Sequence, residues 1–353
     1  MPPTGNQSPA ATFLGGAYRS ATFLVAIALC AAPGCEDRRR PVAPRAEHGF
    51  IAFVGTDADD PRWRVLQATA LRSQEGLAGF EVRTAVPRSP SANAQIALLR
   101  QMHVPEMRGL CIQPADQFIM RDVLEDLRIK GVPIVTVLTP IEGTTNFMHA
   151  GLDELAVGEA MAEAIHHTLK GQGTIAVLYN ANAPRHRADR LLGFKQRLAQ
   201  MPGIIVLREF DCRGNDFVAQ RTVRDYLERF PRLDGWVAME NWPLHSLVSN
   251  RRLLPATCTM VTFGPFPRYW GRVSDGTCYA LIGTRYEPVA ENALRMCVAA
   301  ARGEVPTVTR HLAPPLTITR DNLTTFKLDW HKSCEKPTTR RSRTSPHSAP
   351  GKP

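Results

Sequence analysis

The sequence lacks the short motifs that mark the common catalytic and metal sites. Its 353 residues contain no GxSxG, no HExxH and no glycine loop that would cradle a phosphate. The eight cysteines form no CxxC pair and no other zinc-ligand spacing. No cysteine and histidine fall where the strand pattern would bring them together. These absences argue against an enzyme, and the sequence predicts no catalytic residue, no metal and no cofactor.

The sequence also lacks a basic cluster on the part that would fold. The formal net charge is +10, but eleven of the 43 basic and four of the 33 acidic residues lie before residue 49 or after residue 331. The remaining 32 basic and 29 acidic residues give the body a net charge of only +3. A nucleic-acid-binding face requires basic residues clustered on the folded part. The sequence therefore predicts no nucleic-acid partner.

The amino-terminal segment has the pattern of an export signal. Arg19 precedes the apolar run ATFLVAIALCAA (21–32), and the small residues Pro33 and Gly34 precede Cys35. A basic residue, about a dozen apolar residues and a small-residue exit are typical of a secretory signal, and are too few for a membrane span. Gly34-Cys35 resembles the end of a bacterial lipoprotein signal, which predicts lipidation of Cys35. An ordinary signal cleaved nearby and a misassigned start codon are the alternatives.

Both ends of the chain are expected to lie outside the folded body. We expect a signal peptide with a lipidation site over 1–35, a linker over 36–48 and a disordered basic tail over 332–353. The tail consists of Lys, Arg, Ser, Thr and Pro with almost nothing apolar, so it cannot bury enough surface to offset the entropy of ordering. These expectations place the protein in the cell envelope, facing the periplasm and tethered to a membrane by lipid.

A pattern of four apolar runs alternating with helical spacing occurs twice between residues 49 and 264. The runs are FIAFVG (50–55), FEVRTAV (80–86), GLCIQP (109–114) and VPIVTVL (132–138), then TIAVLY (174–179), GIIVLREF (203–210), DGWVAM (234–239) and TCTMVTF (257–263). Asp153 precedes the clearest helical segment and is placed to cap it. Continuous apolar strands that alternate with helices indicate parallel sheets covered on both faces. The sequence predicts an α/β protein of two doubly wound parallel-sheet lobes.

Six loops form the candidate ligand site, because ligands of such sheets bind outside the carboxyl ends of the strands. They follow the first, third and fourth strand of each lobe. They read TDADDPRW (56–63), QPADQ (113–117), LTPIEGTT (138–145), NANAPRHR (180–187), MENWP (239–243) and FGPFPRYW (263–270). Three of the chain's five tryptophans and several Pro, Asn, Asp and Arg residues lie in them. That composition predicts a polar cleft with aromatic walls.

The first of these loops carries the strongest candidates. Asp57, Asp59 and Asp60 have no accompanying His or Glu pair, so a metal site is not predicted. One aspartate can cap the helix that begins at Pro61, and Asp59 or Asp60 can accept a hydrogen bond from a ligand. Trp63, in the first helical turn, is predicted to stack on the ligand. The alternative for Trp63 is burial against the neighbouring strand.

A series of short motifs runs through the body of the chain. In order they are Asp60-Pro61-Arg62-Trp63, Gln95, Gly131-Val132-Pro133-Ile134-Val135, the run RLLGF from Arg190 to Phe194, and Asn241. Their order and spacing resemble the type I periplasmic binding proteins, specifically the ribose- and galactose-binding branch that serves ABC transporters. The resemblance covers residues 49–331.

The resemblance implies two lobes that close over a ligand by a hinge of three segments. The crossings would fall near Leu152-Asp153, Phe263-Gly264-Pro265 and His311-Leu312. The N-terminal lobe would then comprise 49–152 and 265–310, and the C-terminal lobe 153–264 and 311–331.

Three loop segments depart from the sugar-binding pattern of that branch. Leu138-Thr139 stands where an Asp, often followed by Arg, is usual, Asn241-Trp242 stands for Asn-Asp, and Thr262-Phe263-Gly264 stands for Gly-Phe-Asp. The resemblance therefore implies a small polar, sugar-like ligand without specifying which one.

The loops and the resemblance together give eleven candidate ligand-binding residues. They are Asp59, Asp60, Trp63, Asp116, Thr139, Arg187, Arg190, Asp211, Glu240, Asn241 and Trp242. Arginine suits a position that holds two acceptors at once. The alternatives are a solvated loop for Asp116, Asp211 and Glu240, an ion pair with a neighbouring acid for Arg190, and core packing for Trp242.

The resemblance implies a protein that captures a solute and delivers it to the permease of an ABC transporter. A module that senses the ligand for a membrane receptor or histidine kinase is the alternative. A repressor of the related DNA-binding family would need a helix-turn-helix before residue 49, where the export signal lies, so that class is excluded.

Overall fold

The computed structural model describes residues 48–77, 79–247 and 254–337. The predicted signal peptide, Cys35, residues 36–47 of the predicted linker and most of the predicted tail lie outside the described residues. Within those three ranges, no helix combines the length and the apolar character needed to cross a membrane. Strands and helices are numbered below in chain order.

Six strands form the sheet of the first lobe: β1 (Gly49–Val54), β2 (Phe80–Ala85), β3 (Met107–Ile112), β4 (Ile134–Val137), β5 (Met148–Leu152) and β11 (Arg310–Ala313). They lie in the order β11-β5-β4-β3-β1-β2, and every pair is parallel. The helices of this lobe are α1 (Pro61–Arg72), α2 (Ala92–Met102), α3 (Gln117–Ile129) and α9 (Glu287–Ala301). Helix α9 packs across β3, β4 and β5, which helps to explain why these strands carry continuous apolar runs.

The second lobe repeats this plan with one strand reversed. Its strands are β6 (Gly173–Tyr179), β7 (Ile204–Asp211), β8 (Gly235–Ala238), β9 (Thr259–Phe263), β10 (Ala280–Gly283) and β12 (Leu316–Ile318). They lie in the order β12-β10-β9-β8-β6-β7, and only β12 is antiparallel to its neighbour. The remaining helices are α4 (Glu154–Thr168), α5 (Arg185–Leu198), α6 (Asp216–Arg229), α7 (Trp242–Leu247), α8 (Trp270–Ser274) and α10 (Leu323–Ser333). The predicted α/β fold of two doubly wound lobes is confirmed.

Polar residues at the strand-to-helix turns fix where several helices begin. Ser91, Asp116 and Asn215 each accept a hydrogen bond from a backbone N–H in the first turn of the helix that follows. The predicted cap Asp153 accepts one from Ala156 N at 3.1 Å. Because the first-turn N–H groups have no partner inside the helix, these caps stabilise the helix starts that border the site.

Two of the three crossings between the lobes differ from prediction. Strand β10 belongs to the second sheet, so the second crossing comes at residues 284–286 and not at Phe263-Gly264-Pro265. Strand β11 pairs with β5 of the first sheet, so the third crossing follows Ala313 and does not fall at His311-Leu312. The predicted lobe boundaries at 264/265 and 310/311 are therefore wrong. The four-run repeat did not reveal two further short strands in each lobe, β5 and β11 in the first and β10 and β12 in the second.

Hydrogen bonds tie the three crossings to one another. Thr284 Oγ1 donates to the carbonyl oxygen of Pro314 at 2.7 Å, and Asp153 N donates to the carbonyl oxygen of Ala313 at 3.1 Å. Thr284 is buried. The three crossings therefore lie side by side and are joined by hydrogen bonds.

The predicted disordered tail begins too early at residue 332. Helix α10 continues to Ser333, and the guanidinium of Arg72 donates to the carbonyl oxygens of Ser333 and Glu335. Trp330 in this helix packs edge-on against Trp270 of α8. Helix α10 thus contacts α1 of the first lobe and α8 of the second. Residues 332–335 therefore belong to the folded body. The sequence prediction ended the body too early because Lys332 was grouped with the basic residues of the tail.

Two truncated chains, one ending at Lys332 and one at Pro337, test whether the residues after Lys332 contribute to stability. A chain ending at Lys332 loses both carbonyl acceptors of Arg72 and the contact of the Ser333 hydroxyl with Glu287. Because Arg72 is exposed and its bonds are screened by solvent, we expect the free energy of unfolding in urea to fall by about 1–2 kcal/mol. A chain ending at Pro337 retains both acceptors and should unfold like the full chain. Equal stability of the two truncated chains would show that this contact contributes nothing.

Candidate functional site

A cavity of about 900 Å³ lies between the two lobes at the carboxyl ends of their strands. Its walls come from the loops after β1, β2, β3 and β4 of the first lobe, and from the start of α5 and the segments after β8 and β9 in the second. The residues that line the cavity are Thr56, Asp57, Asp59, Asp60, Pro61, Arg62, Arg64, Pro90, Gln113, Pro114, Ala115, Asp116, Gln117, Phe118, Thr139, Pro184, His186, Arg187, Asn241, His245, Phe266, Pro267, Arg268 and Tyr269. This is where open parallel sheets bind ligands.

The carboxylate of Asp60 is already engaged within the protein. It accepts a hydrogen bond from Arg62 N at 2.9 Å as the cap of α1. Both of its oxygens also accept hydrogen bonds from the guanidinium of Arg62, at 2.7–3.0 Å. Burial acts to lower the pKa of Arg62, but the pairing with Asp60 outweighs it and raises the pKa, so the guanidinium stays charged. Of the two aspartates expected to accept from a ligand, Asp59 is exposed at the cavity wall and has the freer carboxylate.

Trp63 does not face the cavity, and its predicted stacking on a ligand is wrong. It is 3% exposed and belongs to the hydrophobic core. Its ring lies 6.0 Å from that of Phe53 in β1 and covers Gly55, where an added Cβ would come within 2.4 Å of Cε3. Adjacent side chains on a helix point about 100° apart. At the start of α1 this rotation turns Arg62 toward the cavity and Trp63 toward the sheet.

The other two first-lobe candidates, Asp116 and Thr139, both line the cavity. Asp116 caps α3 by accepting from Phe118 N at 2.8 Å and Ile119 N at 2.9 Å. Thr139 follows β4. The structure therefore gives Asp116 a structural partner and leaves Thr139 as an uncharged group at the wall.

Arg190 is part of a buried ion-pair cluster and does not line the cavity. It is 1% exposed and lies between two carboxylates, with Glu154 Oε2 at 2.7 Å and Glu240 Oε1 at 3.0 Å. Its guanidinium also stacks on Phe263, 3.7 Å from the ring centroid. Burial acts to lower the pKa of Arg190, but Glu154 and Glu240 outweigh it and raise the pKa. The predicted ligand contacts of Arg190 and Glu240 are replaced by this mutual pairing.

The remaining second-lobe candidates divide between the cavity and its surroundings. Arg187 and Asn241 line the cavity, and Arg187 lies 3.9 Å from Glu240 Oε1. Asp211 is exposed outside the wall and accepts hydrogen bonds from Ala181 N and Arg213 N, so it organises its own loop. Trp242 starts α7 and packs against the core. Asp211 and Trp242 are therefore not cavity residues in this conformation.

Several wall residues were missed among the candidates. They are Arg62, Gln113, His186, Phe266 and Tyr269. All five lie in the six loops that the sequence marked, so loop membership was the available signal. Arg62 lies over Phe266 of the second lobe, with its Cζ 5.9 Å from the ring centroid, which is within cation–π range.

Glu142 connects the two lobes beside the cavity. Its Oε1 accepts a hydrogen bond from His186 N at 3.0 Å and lies 3.1 Å from His186 Nδ1. Helix α5 begins one residue earlier, and its own cap position, Pro184, offers no side-chain acceptor. A first-lobe carboxylate thus caps a second-lobe helix, with the helix dipole adding to the attraction. Gln117 Oε1 accepts from Glu142 N at 3.3 Å and helps to hold this loop in place.

Two doubly wound lobes, a three-segment crossing and a polar cavity between the lobes define the class of hinged, two-lobe binding proteins. The sequence model of the periplasmic binding protein domain matches residues 51–304, so the chain belongs to the periplasmic binding protein family. Members of that family are binding proteins that act outside the cytoplasm. No match to this chain was found among curated proteins.

Solved structures with this fold include solute-binding proteins of ABC transporters. One from Burkholderia graminis, in complex with D-arabinose, is 20% identical with a TM-score of 0.65 over 79% of this chain and 98% of that chain. One from Actinobacillus succinogenes with bound D-allose is 14% identical with a TM-score of 0.67 over 78% and 99%. A chain of the XylFII–LytSN complex is 14% identical with a TM-score of 0.65 over 78% and 99%. At these identities the likeness shows the fold alone.

Among residues 48–77, 79–247 and 254–337, no group of three or more His, Cys, Asp or Glu side chains is placed to hold a metal ion. The three loop aspartates do not converge, since Asp60 faces Arg62 and Asp57 accepts a hydrogen bond from Asp59 N. The geometry of the described site is that of a binding cavity with polar walls.

Proposed function

We propose that the protein captures a small polar, sugar-like solute in the cavity between its lobes and delivers it to the permease of an ABC transporter. The observation that carries the proposal is the position of the cavity, at the carboxyl ends of both sheets with polar walls from both lobes. The bound D-arabinose and D-allose of two structural neighbours support a sugar-like ligand.

A thermal-shift screen of the purified chain tests this function. The panel consists of pentoses, hexoses, polyols, sugar acids, sugar phosphates and amino acids. A ligand that binds only the folded state at 100 times its Kd adds about 2.7 kcal/mol of stability, a rise of several degrees in a domain of this size. We expect a rise with at least one sugar or polyol. A rise with amino acids alone, or with nothing in the panel, would contradict the proposed function.

A sensor function is the second candidate, supported by the neighbour in the XylFII–LytSN complex, which shows this fold bound to another protein. The sensor and transport functions use the same cavity. They differ in whether a sensor protein or a permease binds the ligand-bound chain. The neighbouring genes, and pull-down with any permease or sensor that they encode, distinguish the two functions, since only one partner should bind in a ligand-dependent way.

We also propose that the mature chain is tethered through a lipid on Cys35. The support is the charged, apolar and Gly-Cys order of the sequence. Mass spectrometry of the mature amino terminus provides the test. A diacylated Cys35 is expected, and an unmodified terminus further along the chain would contradict the tether.

The Glu142–His186 contact is expected to stabilise the closed lobes and thereby to strengthen ligand binding. Glu142→Gln removes the charge that caps α5, and caps are worth about 0.5–2 kcal/mol, so affinity should fall by about 2- to 30-fold. Glu163→Gln is the control, because its pair with Arg197 lies within the second lobe. Calorimetric titration of both variants with the best sugar of the panel makes the comparison. An equal effect of the two changes would exclude an interlobe role for Glu142.

The same contact predicts weaker binding in acid. Burial acts to raise the pKa of Glu142, but the bonds from His186 outweigh it and hold the pKa below its usual 4.5. Protonation of His186 does not break the contact, because a charged imidazole is attracted to the carboxylate; burial lowers the pKa of His186, whereas Glu142 acts to raise it. The contact is therefore complete above pH 4.5 and is lost progressively as the pH falls below that value and Glu142 takes up a proton. Glu142→Gln should flatten this acid limb of the affinity profile, measured by calorimetric titration between about pH 3.5 and pH 7.

A further inference from the structure

Two polar side-chain atoms at the cavity wall are buried without a hydrogen bond. They are Oε1 of Gln113 and the hydroxyl of Tyr269, in residues that are 6% and 0% exposed. Neither atom has a partner with hydrogen-bond geometry among the described residues, although the Arg268 side chain lies close to the Tyr269 hydroxyl. Gln113 follows β3 of the first lobe, and Tyr269 follows β9 of the second. Buried polar groups in folded proteins are nearly always paired, because desolvation without a partner is costly. Each atom therefore needs a hydrogen-bond partner from outside the protein.

The deeper charged groups of the wall already have partners. Asp60 is paired with Arg62 through both oxygens, and Asp116 caps α3. The two arginines of the wall that pair with no carboxylate among the described residues, Arg64 and Arg268, are exposed. The exposed charged side chains of the wall carry both signs, since Asp59 accompanies Arg64, Arg187 and Arg268, whereas the buried wall atoms without a partner belong to an uncharged amide and a hydroxyl. This pattern favours an uncharged ligand over an anionic or cationic one.

We propose that Gln113 and Tyr269 are specificity-determining residues, one from each lobe, and that they select an uncharged polyhydroxylated ligand whose hydroxyls complete both missing hydrogen bonds. The inference rests on the proposed function of the cavity and goes beyond it by assigning the contacts. Oε1 of Gln113 can accept a hydrogen bond from a ligand hydroxyl. The Tyr269 hydroxyl keeps its proton at neutral pH, because burial raises its pKa to about 12 although the positive charge and hydrogen-bonding groups of Arg268 act to lower it. The hydroxyl therefore has a proton that it can donate to a ligand.

The inference has a signature that a structural role would not produce. Gln113→Met and Tyr269→Phe keep the shape of each side chain and remove the atom that has no partner. Replacing an unpaired buried polar group by an apolar one is neutral or stabilising for the free protein. Both variants should melt at or above the wild-type temperature without ligand. Their affinity for an uncharged sugar should nevertheless fall at least about tenfold, the effect of losing one hydrogen bond whose partner stays buried.

The chain offers a matched control for the tyrosine. The Tyr286 hydroxyl is also buried without a hydrogen bond, but Tyr286 lies at the second crossing and is not part of the cavity wall. Tyr286→Phe makes the same chemical change at a site that the ligand does not reach, so affinity should stay within about twofold of wild type. Arg64→Gln removes an exposed charge at the cavity edge and tests for an anionic ligand.

The experiment is calorimetric titration of the wild type and these four variants, with D-arabinose, D-allose and myo-inositol as uncharged probes and D-glucuronate and D-glucose 6-phosphate as anionic probes. We expect an uncharged probe to bind to the wild type, with a loss of about tenfold or more in Gln113→Met and Tyr269→Phe and near-wild-type affinity in Tyr286→Phe. Binding of anionic probes alone, with loss in Arg64→Gln, would overturn the inference and leave a solute-binding cavity in place. Unchanged affinity in both wall variants, or a lowered melting temperature in both, would overturn it as well. Failure of every probe with wild type would overturn the proposed function itself.

Discussion

Trp63→Ala is expected to lower the free energy of unfolding by about 3–5 kcal/mol, the usual cost of truncating a buried aromatic to alanine. The Trp63 ring is 3% exposed, lies over Gly55 and packs beside Phe53 in the core of the first lobe. Its removal leaves a cavity that the rigid end of β1 cannot close, because the backbone there is fixed by pairing with β2 and β3. Urea unfolding followed by circular dichroism measures the loss.

Phe118→Ala is the matched control for Trp63. Phe118 is an aromatic of the cavity wall that is 69% exposed, so its truncation should change the free energy of unfolding by less than about 0.5 kcal/mol. The opposite result, a Trp63→Ala protein with wild-type stability and selectively weakened sugar binding, would return Trp63 to the ligand site. It would also show that the start of α1 turns the other way.

Arg190→Met is expected to destabilise the protein by about 3–5 kcal/mol, because it removes one partner from a buried ion-pair cluster and leaves the other charges without compensation. Glu154 and Glu240 both face the Arg190 guanidinium, and the carbonyl oxygen of Met239 accepts from it as well. Methionine fills much of the same volume, so the loss reports on charge more than on packing. Glu154 belongs to α4 and Glu240 follows β8, so the cluster joins two parts of the second lobe.

Arg187→Met is the comparison for Arg190→Met, because Arg187 also lies near Glu240 but is exposed to solvent. Arg187 is 44% exposed and 3.9 Å from Glu240 Oε1, and exposed ion pairs are worth about 0–1 kcal/mol. We expect a correspondingly small change in the urea midpoint. If Arg190→Met were as mild as Arg187→Met, the buried cluster would not stabilise the second lobe.

The lobes could be predicted from sequence because their central strands are buried on both faces. Runs such as IAFV in β1 and IAVL in β6 are long and continuous, and they recur in the same order in the second half. The hinge could not be placed because β10 and β11 have four residues each and lie outside that repeat. Their pairing partners, and hence the points where the chain changes lobe, are set by tertiary contacts.

The candidate site was predictable at the level of loops and not of side chains. The six loops contain Asp59, Thr139, Arg187 and Asn241, which line the cavity as expected. Whether Arg62 or Trp63 faces the cavity depends on the rotation of one helical residue, which composition does not reveal. Gln113 and Tyr269 were missed because only the packed structure reveals that a buried polar atom has no hydrogen-bond partner.

Calorimetric titration of wild type and Thr139→Trp with D-arabinose, D-allose and myo-inositol tests the central claim most directly. Thr139 lines the cavity, and an indole at this position would occupy the space that a monosaccharide needs. Binding at one site per chain is predicted for at least one of these probes with the wild type, with no measurable binding to a Thr139→Trp protein that still unfolds cooperatively. The same affinity in both proteins would place the ligand outside the interlobe cavity and contradict the account.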